Sequence, residues 1–447
     1  MLKKIATGAV FVSLMLSLAS AAHADSARSE DGPKHDDRGH SRDQHSSDKD
    51  RTDGKKDHSD DSEHGPFSFA ALDASAYGQA SSDWTVPYLV PSGFTQSMVQ
   101  DETVLDVYPG VSDLHDMNTQ NETGREAGRY LYNTYEVNDN GAVAVTDLKT
   151  GTATVIAQRA DWNRLDGIRW TSWGTLLVTE ETPGGKVYEL FLDEKDLTKV
   201  TKIEERTALG SLRHEGIDVD KAGNVYVIDE LNGGSIYKFV PTTRGDLSAG
   251  QLYALKLTDL ADADQLWNQA TFTDKVGAFE WVTLDQNQVV TDADVASNAV
   301  AATEFGRPED VEVIGSTLYV ANTSEDRVIA IDLKKNVLTS FVEAGVNVPV
   351  EDQAAGVTGF NSPDNLAEGP DGALWIVEDN SFSDVYRADK RTNSAGNSKS
   401  VDLFASLTDQ GAETTGIYFG KNPKELFVSV QHPDKALADG IWKITKD

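Results

Sequence analysis

The stretch DNLAEGPDGALWIVE, residues 364–378, contains the pattern from which most of this chain is built. It starts on Asp364, passes a Pro-Asp-Gly turn, and ends fourteen positions later on a short apolar strand closed by Glu378. The same arrangement starts again at Asp166, Glu215, Glu309 and Glu413. A repeat that returns an acid to one structural point is typical of radial copies that aim their carboxylates at a common axis.

The periodicity around these acids is that of β-strands, with alternating apolar positions and turns about every 8 to 12 residues. Six units can be drawn, because residues 128–147 add a first one without the leading acid. The pattern predicts an all-β fold, a six-bladed β-propeller. We expect an insertion from about Gly250 to Ala302, with a helix over Leu260 to Thr271, at a loop end of the propeller.

Composition divides the chain into three regions. Residues 1–24 carry Lys3 and Lys4, an apolar run and an Ala-His-Ala end, which predicts a cleaved secretory signal peptide. Residues 25–65 contain almost nothing apolar and are predicted to be a disordered spacer, the alternative being a weak metal-scavenging tail. Residues 66–447 form the predicted propeller domain. We therefore expect a secreted or periplasmic protein with no membrane association after cleavage.

Charge and cysteine content exclude several classes of site. The formal net charge is −33, most of it in residues 66–447, so a nucleic-acid partner is not expected. The same field repels anionic substrates unless bound cations invert it locally. The chain has no cysteine, which excludes disulfides and thiolate-bound metals. The oligomeric state stays open.

Converging carboxylates indicate a metal site at the propeller mouth. Three of the strand returns end on a second acid, at Glu180, Asp229 and Glu378. A ring of carboxylates is tolerable only when cations lie among them. Each acid taken alone could instead cap a turn.

Several local motifs occur together and in one order. They are Asp116-Met117-Asn118-Thr119, Thr171-Ser172-Trp173-Gly174-Thr175 with Glu180-Glu181, Arg213-His214-Glu215-Gly216, Tyr237-Lys238-Phe239-Val240, Gly306-Arg307-Pro308-Glu309-Asp310, Ser362-Pro363-Asp364-Asn365, Glu413-Thr414-Thr415-Gly416 and Gln431-His432-Pro433. This combination resembles the PhoX-type alkaline phosphatase family from about Asp116 onward.

The resemblance implies a six-bladed propeller whose axial site holds several metals, calcium among them, and cleaves phosphate monoesters. It assigns phosphate contact to Arg307 and metal ligation to Glu309. The matching metal shell would come from Glu180 or Glu181, Glu215, Asp364, Glu378 and Glu413, to which the repeat adds Asp229.

One departure from the family concerns the metal. Iron-containing members carry a cysteine eight residues before the glycine of the Trp-Gly-Thr motif, and here that position is Asp166. A hard carboxylate in place of a thiolate favours Ca²⁺ or Mg²⁺ over a ferric centre. The export signal, with a Lys pair where a twin-arginine signal would carry two Arg, agrees. We expect several calcium ions, Asp166 among their ligands, and no iron.

Further roles follow for three basic side chains. Arg307 would meet the phosphoryl oxygens bidentately, and Lys238 could add a point charge to the substrate site. His214 could order Glu215 or shuttle a proton, as an alternative to a purely structural role. The predicted function is an exported, metal-dependent hydrolase of small phosphate monoesters.

Two other functions stay open on sequence alone. One is another calcium-propeller hydrolase, phytase- or lactonase-like, that uses the same carboxylate ring. The other is a calcium-stabilised propeller that binds a partner without catalysis. Arg307 distinguishes the phosphatase from the non-catalytic binding propeller, because a structural calcium site needs no cation at its rim.

Overall fold

The chain folds almost entirely into antiparallel β-strands. The computed structural model describes residues 65–77, 83–269, 275–409 and 411–447. The predicted signal peptide, and all of the predicted spacer except Gly65, lie outside these ranges. Alternating or continuous apolar runs form the strands, as in Val225–Ile228, which is buried along its whole length.

The strands follow one another with short connections. The first ten are β1 (Tyr88–Leu89), β2 (Phe94–Asp101), β3 (His115–Gln120), β4 (Tyr130–Tyr135), β5 (Ala142–Asp147), β6 (Thr152–Gln158), β7 (Leu165–Trp170), β8 (Thr175–Glu180), β9 (Val187–Asp193) and β10 (Asp196–Glu205). The next seven are β11 (Ile217–Val219), β12 (Val225–Ile228), β13 (Asn232–Gly234), β14 (Ile236–Thr243), β15 (Asp246–Leu257), β16 (Gly277–Thr283) and β17 (Phe305–Gly306). The last eleven are β18 (Pro308–Ile314), β19 (Thr317–Asn322), β20 (Arg327–Asp332), β21 (Val337–Glu343), β22 (Pro363–Glu368), β23 (Leu374–Glu378), β24 (Asp384–Ala388), β25 (Val401–Leu407), β26 (Glu413–Phe419), β27 (Glu425–Gln431) and β28 (Gly440–Lys446).

Helix is confined to short pieces. The α-helices of the described residues are α1 (Gln286–Val289) and α2 (Ala293–Asn298), and the 3₁₀ turns are Thr207–Leu209, Asp262–Asp264, Thr323–Glu325 and Gln353–Ala355. In the part of the chain that the structure describes, no helix has the length and apolar character needed to cross a membrane.

Strand pairing groups the chain into six antiparallel units of four strands. Unit 1 is β3 to β6, unit 2 is β7 to β10, unit 3 is β11, β12, β14 and β15, unit 4 is β18 to β21, unit 5 is β22 to β25, and unit 6 is β26 to β28 completed by β2. Strand β1 extends unit 5, and β16 pairs with both β15 and β21, which joins units 3 and 4 into one sheet.

The units are arranged in a closed circle. The first strand of each unit contacts the first strand of the next, and β26 of unit 6 contacts β3 of unit 1. Pairing of β2 with β28, with Met98 opposite Trp442, joins the two ends of the domain. The fold is a β-propeller, as the sequence predicts, and its axis runs between the first strands.

The apolar core lies between neighbouring units. One cluster packs Tyr132 and Val143 of unit 1 against Ile168 and Val178 of unit 2. The polar axis is therefore supported from outside by dry interfaces, which hold the first strands in a fixed position.

The expected insertion differs from the structure in two respects. Residues 250–257 belong to strand β15, where Leu252, Ala254, Leu255 and Leu257 are buried, so the insertion begins later. The helix expected over Leu260 to Thr271 is, up to residue 269, a 3₁₀ turn followed by bends and turns. Acidic side chains that compete for backbone hydrogen bonds disfavour a helix there.

Helical structure occurs instead at α1 and α2 of this insertion. Asp285 accepts a hydrogen bond from the Asn287 N–H, and Asp292 accepts one from the Val295 N–H. Each helix therefore starts with a satisfied N-cap, the signal that the region around Leu260 lacks.

Candidate metal centre

An acidic cavity of about 270 Å³ lies on the propeller axis, where the first strands begin. Its carboxylates are Asp116, Glu136, Asp166, Glu181, Glu215, Glu230, Glu309, Asp364, Asp379 and Glu413. Its cationic or titratable bases are Arg164, Arg307 and His432. The excess of acid over base gives this mouth a strongly negative field unless cations are bound.

An inner ring of side chains comes from the first strands. Each member stands two residues before the first pair that follows the register shift of its unit, or, in unit 3, before the first pair of the unit: Asp116, Asp166, Glu215, Glu309, Asp364 and Thr415. In units 1, 2, 4 and 5 the acid lies within a register shift of the ladder, a β-bulge. A β-bulge changes the direction in which a side chain points. It therefore explains how each of these first strands can direct a carboxylate to the axis.

An outer ring comes from the ends of the second strands. Its members follow the second strand directly, or one residue later in unit 3, and line the cavity: Glu136, Glu181, Glu230, Asp379 and His432. Units 1, 2, 3 and 5 therefore each contribute one carboxylate to the inner ring and one to the outer ring.

The three acids that the sequence placed at the strand returns do not reach the cavity. Glu180 accepts a hydrogen bond from the Asn163 N–H at 3.0 Å, and Asp229 accepts one from the Arg213 N–H at 3.0 Å. Glu378 accepts one from the backbone N–H of residue 361 at 2.9 Å. Since successive residues of a strand point to opposite sides, the neighbouring acid faces the axis and these acids face inward to the scaffold. The cavity is lined instead by the next residue in each case, Glu181, Glu230 and Asp379, of which Glu181 is the alternative to Glu180 that the sequence offers.

Three arginines occupy one equivalent position. Arg164, Arg213 and Arg307 each stand two residues before an inner-ring acid, namely Asp166, Glu215 and Glu309. The sequence analysis singled out only Arg307, although the repeated spacing Arg-x-Asp/Glu could have identified all three.

The arginines bridge neighbouring outer-ring acids. Arg164 forms ion pairs with Glu136 and Glu181. Arg213 lies 3.0 Å from both Glu181 and Glu230. Acids and guanidinium groups therefore alternate around this side of the cavity mouth, and we call this row of ion pairs the belt. Such a network holds long side chains in place better than an isolated surface pair does.

Arg307 continues this belt toward unit 5. Its Nε lies 2.9 Å from Glu230 Oε1, its Nη2 lies 3.0 Å from Glu309 Oε1, and Asp379 is 3.8 Å away. Its side chain is 36% exposed, so the guanidinium remains accessible from the cavity. Its backbone has a φ of 47°, a left-handed conformation in which a non-glycine residue is strained.

Burial gives the cavity acids unusual proton affinities. Burial first, and neighbouring carboxylates second, raise the pKa of Asp116, Asp166 and Glu215 well above the ordinary value. Burial also raises the pKa of Glu309 to about 7 and that of Glu413 to about 9. In each case the charged form is disfavoured by burial and by neighbouring negative charge, and a bound cation would favour it again.

The donor arrangement fits a divalent cation. Two groups of three carboxylates each bring one oxygen per residue within 4.8 Å of the others: Asp116, Glu136 and Asp166, and Glu215, Glu230 and Glu309. Asp166 Oδ1 is buried and has no hydrogen-bond partner. Clustered carboxylate oxygens are the ligands of hard cations, so both groups could bind a metal.

Two basic residues proposed from the sequence lie away from the cavity. His214 is fully buried, with Nε2 3.2 Å from the Gly210 carbonyl oxygen, and burial lowers its pKa to about 4. Lys238 lies on β14, over the rings of Tyr226 and Trp281. Neither residue lines the axial cavity. The cavity imidazole is His432, whose Nε2 lies 3.3 Å from Glu413 Oε1.

A comparison with protein families identifies the chain. The family model described as alkaline phosphatase PhoX matches residues 192–434, more than half of the 447 residues. The chain belongs to the PhoX alkaline phosphatase family. The PhoX match includes Glu215, Arg307 and Glu309 of the cavity. The first carboxylate group, Asp116, Glu136 and Asp166, precedes the PhoX match, so geometry alone connects it to the site.

Comparisons with individual proteins add little to the PhoX assignment. No curated protein sequence matches the chain. A streptogramin B lyase structure has 15% identity, covers 79% of this chain and 98% of its own, and has a TM-score of 0.43. A gluconolactonase from Xanthomonas campestris has 13% identity, coverages of 85% and 99%, and a TM-score of 0.45. The calcium-binding protein regucalcin from Agrobacterium tumefaciens has 13% identity, coverages of 74% and 90%, and a TM-score of 0.39.

Proposed function

We propose that this PhoX-family protein is an exported, calcium-dependent phosphoric monoester hydrolase that acts in the axial cavity. The observation that carries the proposal is Arg307, an accessible guanidinium fixed between carboxylates at the mouth of a cavity in which carboxylates outnumber basic side chains. A purely structural calcium site needs only the carboxylates. A guanidinium that points into the same space supports an anionic ligand, and a phosphate ester is the anion that the family acts on.

The two carboxylate groups would hold the cations. Asp116, Glu136 and Asp166 form one group of ligands, and Glu215, Glu230 and Glu309 form the other. Bound cations would neutralise phosphoryl oxygens and lower the pKa of a water molecule. Calcium is favoured over iron because the donors are carboxylate oxygens and the chain has no cysteine.

The protein side chains would orient the ester and its charge. Arg307 presents two nitrogens of its planar guanidinium to the equatorial phosphoryl oxygens, which gain charge as the bond to the leaving alcohol breaks. Its contacts with Glu230 and Glu309 hold the fork in position before substrate arrives. His432, half-exposed beside Glu413, is placed to donate a proton to the departing alkoxide, a role for which buried His214 has no access.

Export is the part of the proposal that the amino-terminal sequence supports. Residues 1–24 have the charged start, apolar run and small-residue end of a cleaved signal, so we place the protein in the periplasm or outside the cell. Calcium is abundant there, which agrees with an oxygen-only donor set.

The experiment is a phosphatase assay of the purified full-length protein with p-nitrophenyl phosphate. Hydrolysis should be abolished by a calcium chelator and restored by added calcium, because the ester is held through the cations. A protein that retains its calcium but hydrolyses no phosphate ester would contradict the enzymatic proposal and favour a binding role.

A further inference from the structure

A third group of buried carboxylates lies outside the axial cavity. Glu351, Glu378 and Asp384 each offer one oxygen within 4.8 Å of the others, and each is less than 9% exposed. They come from the segment before unit 5, from the end of β23 and from the start of β24. None of the three lines the axial cavity.

No basic side chain compensates this charge. Within the described ranges, no Lys, Arg or His forms an ion pair with Glu351, Glu378 or Asp384, so their partners are neutral. Tyr77 donates a hydrogen bond to Glu351, and Ser75 donates one to Asp384. Burial, followed by the repulsion among these carboxylates, raises the pKa of Glu378.

Two oxygens in this group are left without a partner. Glu378 Oε1 accepts the backbone N–H of Asn361 at 2.9 Å, but Glu378 Oε2 is buried and accepts nothing. Asp384 Oδ2 accepts from Ser75 and, at 3.2 Å, from Tyr386, whereas Asp384 Oδ1 is buried and accepts nothing. An unpaired buried carboxylate oxygen is energetically costly unless a cation or a proton satisfies it.

The equivalent acid of unit 2 provides a contrast. Glu180 stands at the same point of its unit, and both of its oxygens have donors: the N–H of Asn163 for Oε1, and the Lys186 N–H with the Tyr188 hydroxyl for Oε2. Asp229 of unit 3 also has a buried oxygen without a partner, Oδ2, but among the described residues only the equivalent acid of unit 5 lies within 4.8 Å of two further carboxylates as part of such a group.

We infer that Glu351, Glu378 and Asp384 bind a calcium ion at a site separate from the axial cavity. Calcium binds oxygen at about 2.3–2.6 Å, so two oxygens on one ion lie at most about 5 Å apart, and the observed 4.8 Å limit satisfies this. The Tyr386 hydroxyl, which donates a hydrogen bond to Asp384 Oδ2, and the Asn361 side chain, whose amide nitrogen donates to Glu351 Oε2, adjoin the group.

The ion would act as a clamp on the amino-terminal segment. Ser75 and Tyr77 lie far from unit 5 in sequence but hydrogen-bond directly to two of the ligands. Binding that requires this arrangement stabilises the folded state only, so the site is structural. The inference does not depend on the phosphatase proposal, since no residue of this group faces the substrate cavity.

The test compares Glu378→Gln with Glu180→Gln in the full-length protein. Calcium per chain would be measured after equilibrium dialysis, together with the melting temperature with and without calcium. We expect Glu378→Gln to bind one calcium fewer than the wild type and to gain less from calcium in melting temperature. The matched Glu180→Gln variant should retain the wild-type calcium count.

Asp384→Asn and Glu351→Gln serve as second variants should Glu378→Gln fail to fold. Both residues are further in sequence from the cavity residue Asp379 than Glu378 is. Terbium, which replaces calcium, should show luminescence sensitised through Tyr77 and Tyr386 that Glu309→Gln retains and Asp384→Asn loses. An unchanged calcium count in every foldable variant of the group would overturn the inference and leave shared protons as the compensating charge.

Discussion

At the scale of single residues, the site is decided by which of two adjacent acids faces the axis. Glu180 and Glu181 differ only in position, yet Glu180 receives scaffold hydrogen bonds and Glu181 receives Arg164 and Arg213 at the cavity. The cause is the alternation of side chains at the end of a strand. Chemically identical groups therefore have separate tasks, and mutation should separate them.

Glu181→Gln should lower phosphatase activity at least tenfold with little change in melting temperature, because it weakens the belt that positions Arg164 and Arg213. Glu180→Gln should lower the melting temperature with little change in phosphatase activity. The glutamine side chain has only one oxygen, so it cannot accept the hydrogen bonds that the two carboxylate oxygens of Glu180 accept. The loss costs about 1–3 kcal/mol of stability. Steady-state kinetics and thermal unfolding of the two variants check this. Equal effects of both variants on activity would contradict the assignment.

Arg307 provides the second test at this scale. Arg307→Ala should reduce kcat about 10²- to 10³-fold, the usual loss when one donor to developing charge is removed. Arg307→Lys should restore little, because an ammonium group lacks the bidentate fork. The melting temperature should change far less than the rate.

Arg244→Ala is the control for the general loss of one positive charge, since Arg244 is exposed and contacts Ser172 on the outside of the propeller. It should keep wild-type kinetics. Full activity in Arg307→Ala would exclude the phosphate-binding role.

At the scale of elements, the first strands approach each other so closely that side chains must be absent at set points. Gly167 and Gly216 each follow an inner-ring acid, and an added Cβ at Gly167 would lie 2.2 Å from the carbonyl oxygen of Glu215. At Gly216 the added atom would lie 2.0 Å from Asp310 Oδ1 and 2.5 Å from its Cα. Close contact between neighbouring first strands keeps the cavity narrow enough for carboxylates of different units to share a cation.

Gly216→Ala should therefore destabilise the protein by about 3 kcal/mol or more, because the backbone of unit 4 must move. Gly174→Ala is a suitable control: its φ is +86°, but no atom lies within 4 Å of the added Cβ, so only about 1–2 kcal/mol of backbone strain is expected. Chemical denaturation of both variants measures the difference. Similar losses would show that the close approach is not limiting.

Strand β2 is the element on which ring closure depends. It pairs with β28 and completes unit 6, while Phe67 packs on Phe404 with ring centroids 5.4 Å apart. A chain that lacks residues 1–64 should fold and keep its activity, since that segment has no apolar content beyond the predicted signal. A chain that lacks residues 1–101 should fail to fold, because unit 6 would expose an unpaired edge. Circular dichroism and solubility of the two truncations test this, and a folded second truncation would contradict it.

At the scale of the whole molecule, a chain with a formal charge of −33 concentrates ten carboxylates in one axial cavity. Dry interfaces between the units hold the rings at fixed distance, so the carboxylates cannot separate to reduce their repulsion. The fold therefore stores unfavourable electrostatic energy that bound cations release. Stability and metal content should be linked.

Elemental analysis of the purified protein should find calcium in more than one equivalent per chain and no stoichiometric iron. Removing the calcium should lower the melting temperature by several degrees, since a ligand at about 100 times its Kd contributes about 2.7 kcal/mol to the folded state. One or more iron atoms per chain would contradict the assignment of Asp166 as an oxygen ligand in a calcium site.

The sequence by itself determined the class of fold and the chemistry of the site. The interval from Asp364 to Glu378 recurs because the first two strands of these units are short and joined by a tight connection. Strand length and apolar alternation are local properties. Inner-ring acids such as Asp166, Glu215 and Glu309 could be found from this interval alone, whereas Arg307 follows from the resemblance to the PhoX family.

Only the tertiary structure decided which acids meet. Glu180, Asp229 and Glu378 share the correct spacing but face the scaffold, because bulges and strand ends change the direction of a side chain without changing the sequence interval. Asp116, Glu136 and Arg164 join the cavity through closure of the ring, a contact between distant segments. The group of Glu351, Glu378 and Asp384 likewise exists because the amino-terminal segment returns to unit 5. Direction and long-range closure are properties of packing, and no local pattern encodes them.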